Sequence, residues 1–123
     1  MKQLKNEYKE LDGIELARVC TRVAEDNKAE DLVVLDVRGI SSFTDFFVIM
    51  SGRSTRHVQA LAESMENELR SKRIKTSRAE GLQEGKWVLL DFGDVVVHVF
   101  YYDQREFYDL EGLWHDAPRI DAS

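Results

Sequence analysis

A single cysteine, Cys20, and a single proline, Pro118, stand in 123 residues. One thiol permits no internal disulfide and no cysteine-based zinc site. It lies between Ala17 and Val23 on an apolar pattern of helical spacing, where a buried, inert thiol is expected rather than a nucleophile. There is no low-complexity tract, no repeat and no internal Pro-rich stretch to mark a linker. A single domain is therefore expected over residues 1–123, with a folded core of about 13–118 and a short loose tail at 119–123.

Long apolar runs are also missing. None approaches the ~18 residues that a membrane-spanning helix requires, so no membrane partner is expected. The opening stretch "MKQLKNEYKE" has no apolar segment of the signal-peptide kind, and it mixes acids with its lysines, unlike a transit peptide. The expected location is cytoplasmic.

Basic charge is scarce: 17 Lys and Arg against 23 Asp and Glu leave a net charge of −6. Broad nucleic-acid binding draws its affinity from neutralised phosphates, so nucleic acid is not the expected principal partner. The local cluster Arg70, Lys72, Arg73, Lys75 and Arg78 is diluted by Glu66, Glu68 and Glu80. It reads as a solvated helix end and edge strand, with a minor RNA contact as the lesser alternative. The acidic excess favours a basic protein partner through electrostatic steering.

What is present is periodic. Ile14, Ala17, Cys20, Val23 and Ala24 recur at helical spacing, which predicts an amphipathic helix from about Gly13 to Lys28. "DLVVLDV" (31–37) and "DFFVIMSG" (45–52) read as strands separated by a Gly-Ser turn. Ser54 is a helix N-cap, and Val58, Leu61, Ala62, Met65 and Leu69 form one apolar stripe running to about Lys72. "IKTSRAE" is a weak, polar strand expected at an edge; "KWVLLDF" and "DVVVHVFYY" form a hairpin. Asp103 and Glu106 have capping-box spacing for a last helix over Tyr108, Leu110 and Leu113. The expected fold is α/β to α+β, a mixed five-stranded sheet flanked by helices in the order α-β-β-α-β-β-β-α.

A two-residue turn at Gly93-Asp94 sets Phe92 opposite Val95, Asp91 opposite Val96, Leu90 opposite Val97, Leu89 opposite His98, Val88 opposite Val99 and Trp87 opposite Phe100. Alternation then sorts the hairpin into two faces. Val88, Leu90, Phe92, Val95, Val97 and Val99 make an uninterrupted aliphatic core face. Trp87, Leu89, Asp91, Val96, His98 and Phe100 make a second, amphipathic face. A Trp among apolar neighbours with a few polar groups is the composition of a protein-binding hot spot; a helix laid over that face, making Trp87 second-layer core, is the alternative. Asp91 and His98 lie on a cross-strand diagonal. With no nucleophile elbow nearby, a hydrogen bond satisfying a half-buried His is expected of them, rather than two members of a catalytic triad.

Other chemistry is thin. Gly52, Arg53 and Ser54 open a helix that could receive an anion, with Arg56 nearby, yet the stretch matches no phosphate-loop pattern. It faintly resembles the opening loop of nucleotidyltransferases, but the paired strand carboxylates that hold magnesium there have no counterpart after Ser54. His57, His98 and His115 lack metal-ligand spacing. No metal and no cofactor is expected.

Three blocks, "TDFFVIMSGRSTRHVQALAE" (44–63), "WVLLDFGDVVVHVF" (87–100) and "REFYDLEGLWHDAP" (105–118), with Glu80-Gly81 between the first two, resemble the RsfS/Iojap family of ribosomal silencing factors over about 14–118. The resemblance implies a nucleotidyltransferase-like fold without its catalytic carboxylates, and no enzyme activity. It further implies binding to the large ribosomal subunit through the large-subunit protein numbered fourteen. Joining of the small subunit would be blocked and translation repressed under nutrient limitation. A homodimer is implied for the free protein.

The family's contact tryptophan matches Trp87. The shared hairpin face extends the expected contact to Leu89, Asp91, His98 and Phe100, with Arg56 and the acidic Glu106, Asp109 and Glu111 as rim residues. Two rival readings remain at this point. One is a nucleotide-binding or nucleotidyltransferase-like enzyme using Gly52, Arg53, Ser54 and Asp91; the other is a dimeric adaptor that does not act on ribosomes.

Overall fold

The computed structural model describes residues 12–121. Helix α1 (Gly13–Asp26) starts with a reciprocal cap: Glu15 N–H donates to the Asp12 carboxylate at 2.9 Å, and Asp12 N–H donates to Glu15 Oε1 at 3.1 Å. Two of the orphan donors of a helix start are thereby satisfied. The chain turns through Lys28 at φ 63 into strand β1 (Glu30–Asp36), followed by β2 (Phe46–Gly52). Ser54 caps α2 (Thr55–Ser71), accepting from His57 N–H at 3.0 Å. Three strands come next: β3 (Arg78–Glu80), β4 (Trp87–Asp91) and β5 (Val95–Tyr101).

The sheet order is β3-β4-β5-β2-β1-β6, with β2 and β5 parallel at its centre and the other neighbours antiparallel. Central β2 is buried along its whole length and β5 along all but its last residue, which is why both read as near-continuous apolar runs. Edge strand β3 is short, exposed and charged, a blunt edge that resists pairing with another chain.

The expected strands and both long helices are present, and the class is mixed α+β. The strand count is six among the described residues rather than five. The sixth is β6 (Arg119–Ile120), drawn from the expected loose tail: Val34 pairs with Ile120 and Leu35 with Arg119. Pairing of backbone groups along β1 captures those residues, a cause that no side-chain pattern displays.

The last helix also differs. It is split into α3 (Tyr102–Tyr108) and α4 (Leu110–Leu113) at Asp109, which sits in the left-handed region at φ 46. No side chain caps the start of α3, which follows β5 directly, so Asp103 and Glu106 do not form the expected capping box. Of Tyr108, Leu110 and Leu113, only Leu110 is buried.

Two apolar layers result. One face of the sheet, with Val48, Met50, Val88, Leu90, Val97 and Val99, packs on Ala17, Cys20, Leu61, Met65 and Leu69 of the long helices. The opposite face gathers Leu35, Val37, Phe47, Ile49, Val96 and Phe100 beneath Leu110 and Ala117, with Trp87, Leu89 and Trp114 partly buried at its margin. Fully burying each such aliphatic or aromatic side chain contributes roughly 1.5–3 kcal/mol. Cys20 lies wholly inside the first layer, where burial pushes its thiol up to about 12 and leaves it inert.

Candidate partner-binding site

The hairpin pairs Trp87 with Phe100, Val88 with Val99, Leu89 with His98, Leu90 with Val97 and Asp91 with Val96, the expected register. Gly93, at φ +93, makes the turn that sets it. The amphipathic face is therefore real, but it is only partly open. Residues 110–117 cover its inner half, and Val96, His98 and Phe100 are buried. Trp87, Leu89 and Asp91, all on β4, remain half-buried. The second-layer reading describes the covered half, and Trp87, Leu89 and Asp91 are the part of the face left open to solvent.

His98 and Phe100 thus cannot touch a partner directly in this conformation; both lie beneath Trp87. The cause is their place on β5, an inner strand, where the C-terminal segment folds across them. Asp91 does not hydrogen-bond His98. Its Oδ1 instead accepts from Gly93 N–H at 2.8 Å, tying the hairpin turn. Trp87, the other diagonal neighbour of His98, takes the bond: indole Nε1–H donates to His98 Nδ1 at 3.1 Å. His98 is only 4% exposed, and desolvation pushes its pKa down to about 4, so the ring is neutral at physiological pH.

Trp87 stacks on Phe100 with ring centroids 5.0 Å apart and meets the ring of Tyr108 at 4.6 Å. Tyr108 in turn makes an edge contact with Phe107 at 5.2 Å. Phe107 is 79% exposed, Tyr108 42% and Leu113 76%. An aromatic surface thus runs outward from the hairpin onto α3. The hairpin pattern pointed to Trp87 but not to Phe107, which falls in a polar stretch; its one signal was an aromatic with no place on an apolar stripe.

Arg105 is the second residue missed. Its side chain is 12% exposed. It donates from Nε to Glu111 Oε1 at 2.9 Å and from Nη1 to Ser51 Oγ at 2.9 Å and to the Asp31 carbonyl at 2.5 Å. Those contacts clamp α3 to the ends of β1 and β2. Glu111, expected at the rim, is held below the usual carboxylate range by the Arg105 hydrogen bond and the charges of Arg105 and Arg119, so it serves the fold. Glu106 and Asp109 stay exposed.

Arg56 does not join this surface. It is exposed on α2, which packs on the other face of the sheet. The turn before it is engaged internally: Arg53 Nε donates to Glu30 at 2.6 Å, and Arg53 N–H donates to His57 Nδ1 at 3.0 Å. Within the basic cluster, Arg70 bonds Asn67 at 3.0 Å, Lys72 pairs with Glu68 at 3.5 Å and Arg78 with Glu80 at 3.1 Å. Among the described residues, no group of three or more His, Cys, Asp or Glu side chains could hold a metal ion, and no helix is long and apolar enough to cross a membrane.

A family described as "Ribosomal silencing factor during starvation" matches residues 10–123. The chain belongs to the RsfS family. Its resemblance to the ribosomal silencing factor RsfS of Halalkalibacterium halodurans is 44% identity over 107 residues, covering 87% of this chain and 92% of that one. A mouse relative described as "Mitochondrial assembly of ribosomal large subunit protein 1" is 37% identical over 89 residues, 70% of this chain and 39% of the mouse protein. The fold is similar to a crystal structure of a Chromobacterium violaceum protein with a TM-score of 0.83 at 35% identity, covering 85% of this chain and 88% of that one. All of the hairpin and of α3 falls within the matched span of the RsfS family.

Proposed function

We propose that this RsfS-family chain binds the large ribosomal subunit through the large-subunit protein numbered fourteen. It would occupy the surface the small subunit needs for joining, repressing translation when nutrients are limited. The reading rests on one observation above all. A half-buried Trp87, stacked on Phe100 and flanked by exposed Tyr108 and Phe107, forms the anchor geometry of a protein-binding hot spot in a family of ribosomal silencing factors. The name of the mouse relative points to the same subunit.

In this proposal Trp87, Leu89 and Asp91 meet the partner, with Asp91 and the net charge of −6 drawing a basic surface. His98 and Phe100 support Trp87 from below. The free protein is a homodimer in the cytoplasm, no catalytic step is involved, and RNA contributes at most a minor contact through Lys75 and its neighbours. Engagement of Arg53 by Glu30 and His57 speaks against the nucleotide-binding alternative.

Co-sedimentation with purified large and, separately, small subunits tests this. Wild type is expected to travel with large subunits alone, and folded Trp87→Ala to lose about 2 kcal/mol or more of binding, roughly thirtyfold in affinity. Wild type that ignores large subunits, or joins subunits normally when present in excess, overturns the proposal.

A further inference from the structure

Position 98 lies in an inner strand, "VVVHVFY", whose other members are aliphatic or aromatic. An apolar side chain would pack there without an orphaned polar atom. His98 instead brings one: its Nε2 is buried with no hydrogen-bond partner. Buried groups of that kind are rare and ask for a reason. The other ring nitrogen supplies it. Nδ1 accepts the Trp87 indole N–H at 3.1 Å, which places the lone pair on Nδ1 and the ring proton on Nε2. Phe47 meets the imidazole edge-on, with centroids 5.1 Å apart, and Phe100 lies nearly parallel to it at 6.4 Å, so the acceptor is held in place from two sides.

We propose that His98 is a positioning residue for partner binding: its Nδ1 takes up the indole N–H of Trp87 and holds the ring in one orientation against Phe100 and Tyr108. The inference rests on the proposed role of Trp87 as the anchor. It adds a statement about the partner's chemistry. With its only donor turned inward, Trp87 offers a partner the apolar and π surface of its ring and no hydrogen bond. The matching group is therefore an aliphatic side chain or the stem and head of a Lys or Arg, rather than an acceptor. A ring fixed before encounter also loses less rotamer freedom on binding.

The test uses the full-length protein, 15N-labelled, with its two tryptophan indole signals assigned by Trp87→Phe. In wild type the Trp87 indole proton is expected to exchange slowly with solvent, and His98 to carry its proton on Nε2. His98→Leu keeps the packing but removes the acceptor; His98→Asn places an amide oxygen where Nδ1 stands. Leu is expected to speed indole exchange and weaken large-subunit binding roughly three- to tenfold, and Asn to restore most of both.

A wild-type indole proton that exchanges as fast as an exposed one, or a His98 proton on Nδ1, overturns the inference. So does a folded Leu variant that binds as tightly as wild type. If the Leu variant does not fold, wild type and Asn still decide the matter. If wild type binds no large subunit, the proposed function fails, while the indole and tautomer measurements continue to judge the positioning role.

Discussion

A histidine kept neutral by burial leaves a signature in stability. The folded pKa of His98 is about 4, against 6.5 for the free side chain. The unfolded chain therefore binds a proton between those values while the folded chain does not, so stability rises with pH across that window. Acidification from about pH 6.5 to about pH 4 is expected to remove roughly 3 kcal/mol, and nothing more from this group below that. Urea denaturation at a series of pH values checks it: His98→Asn should flatten the slope in that window and leave it unchanged above pH 7. Arg105 acts at the same scale. Arg105→Met would leave Glu111 and Ser51 without their shared donor in a half-buried setting, an expected loss of about 2–3 kcal/mol. Arg105→Lys should recover little, because an ammonium cannot reproduce the fork. Denaturation midpoints of the two variants decide it.

At the scale of elements, the hairpin is held by its ends. Gly81, at φ +83, approaches so closely that a Cβ there would sit 2.0 Å from the Trp87 carbonyl oxygen. Gly81→Ala is expected to cost at least about 2 kcal/mol and to disturb the start of β4; thermal unfolding together with Trp87 fluorescence would register both effects. The hairpin register was legible in the sequence because a slip by one residue would have exchanged its two faces. The split at Asp109 was not. A left-handed residue is set by the need to bring Leu110 onto the sheet while α3 follows β5 without a loop, and the spacing of Asp103 and Glu106 carries no trace of that demand.

For the whole molecule, the decisive event is the return of the C-terminal segment across the far face of the sheet. The Asp36 N–H donates to the Pro118 carbonyl at 2.8 Å, and β6 then covers the edge of β1. Truncation after Pro118 is expected to lower stability by about 1–2 kcal/mol and to promote self-association through the uncovered edge. Amide exchange along β1 and light scattering measure those two outcomes. Because the returning segment also carries Leu110 and Ala117, it decides which residues of the amphipathic face reach solvent.

Class, hairpin register and the placing of Trp87 on the amphipathic face came from the sequence alone. Alternation and helical spacing report local geometry, and the hairpin's short reach makes its pairing a local matter too. How much of the face stays open came from tertiary structure. Burial of His98 and Phe100 and the separation of Arg56 from Trp87 depend on segments distant along the chain. Those segments meet through packing and backbone pairing, and neither is written in any single stretch of residues.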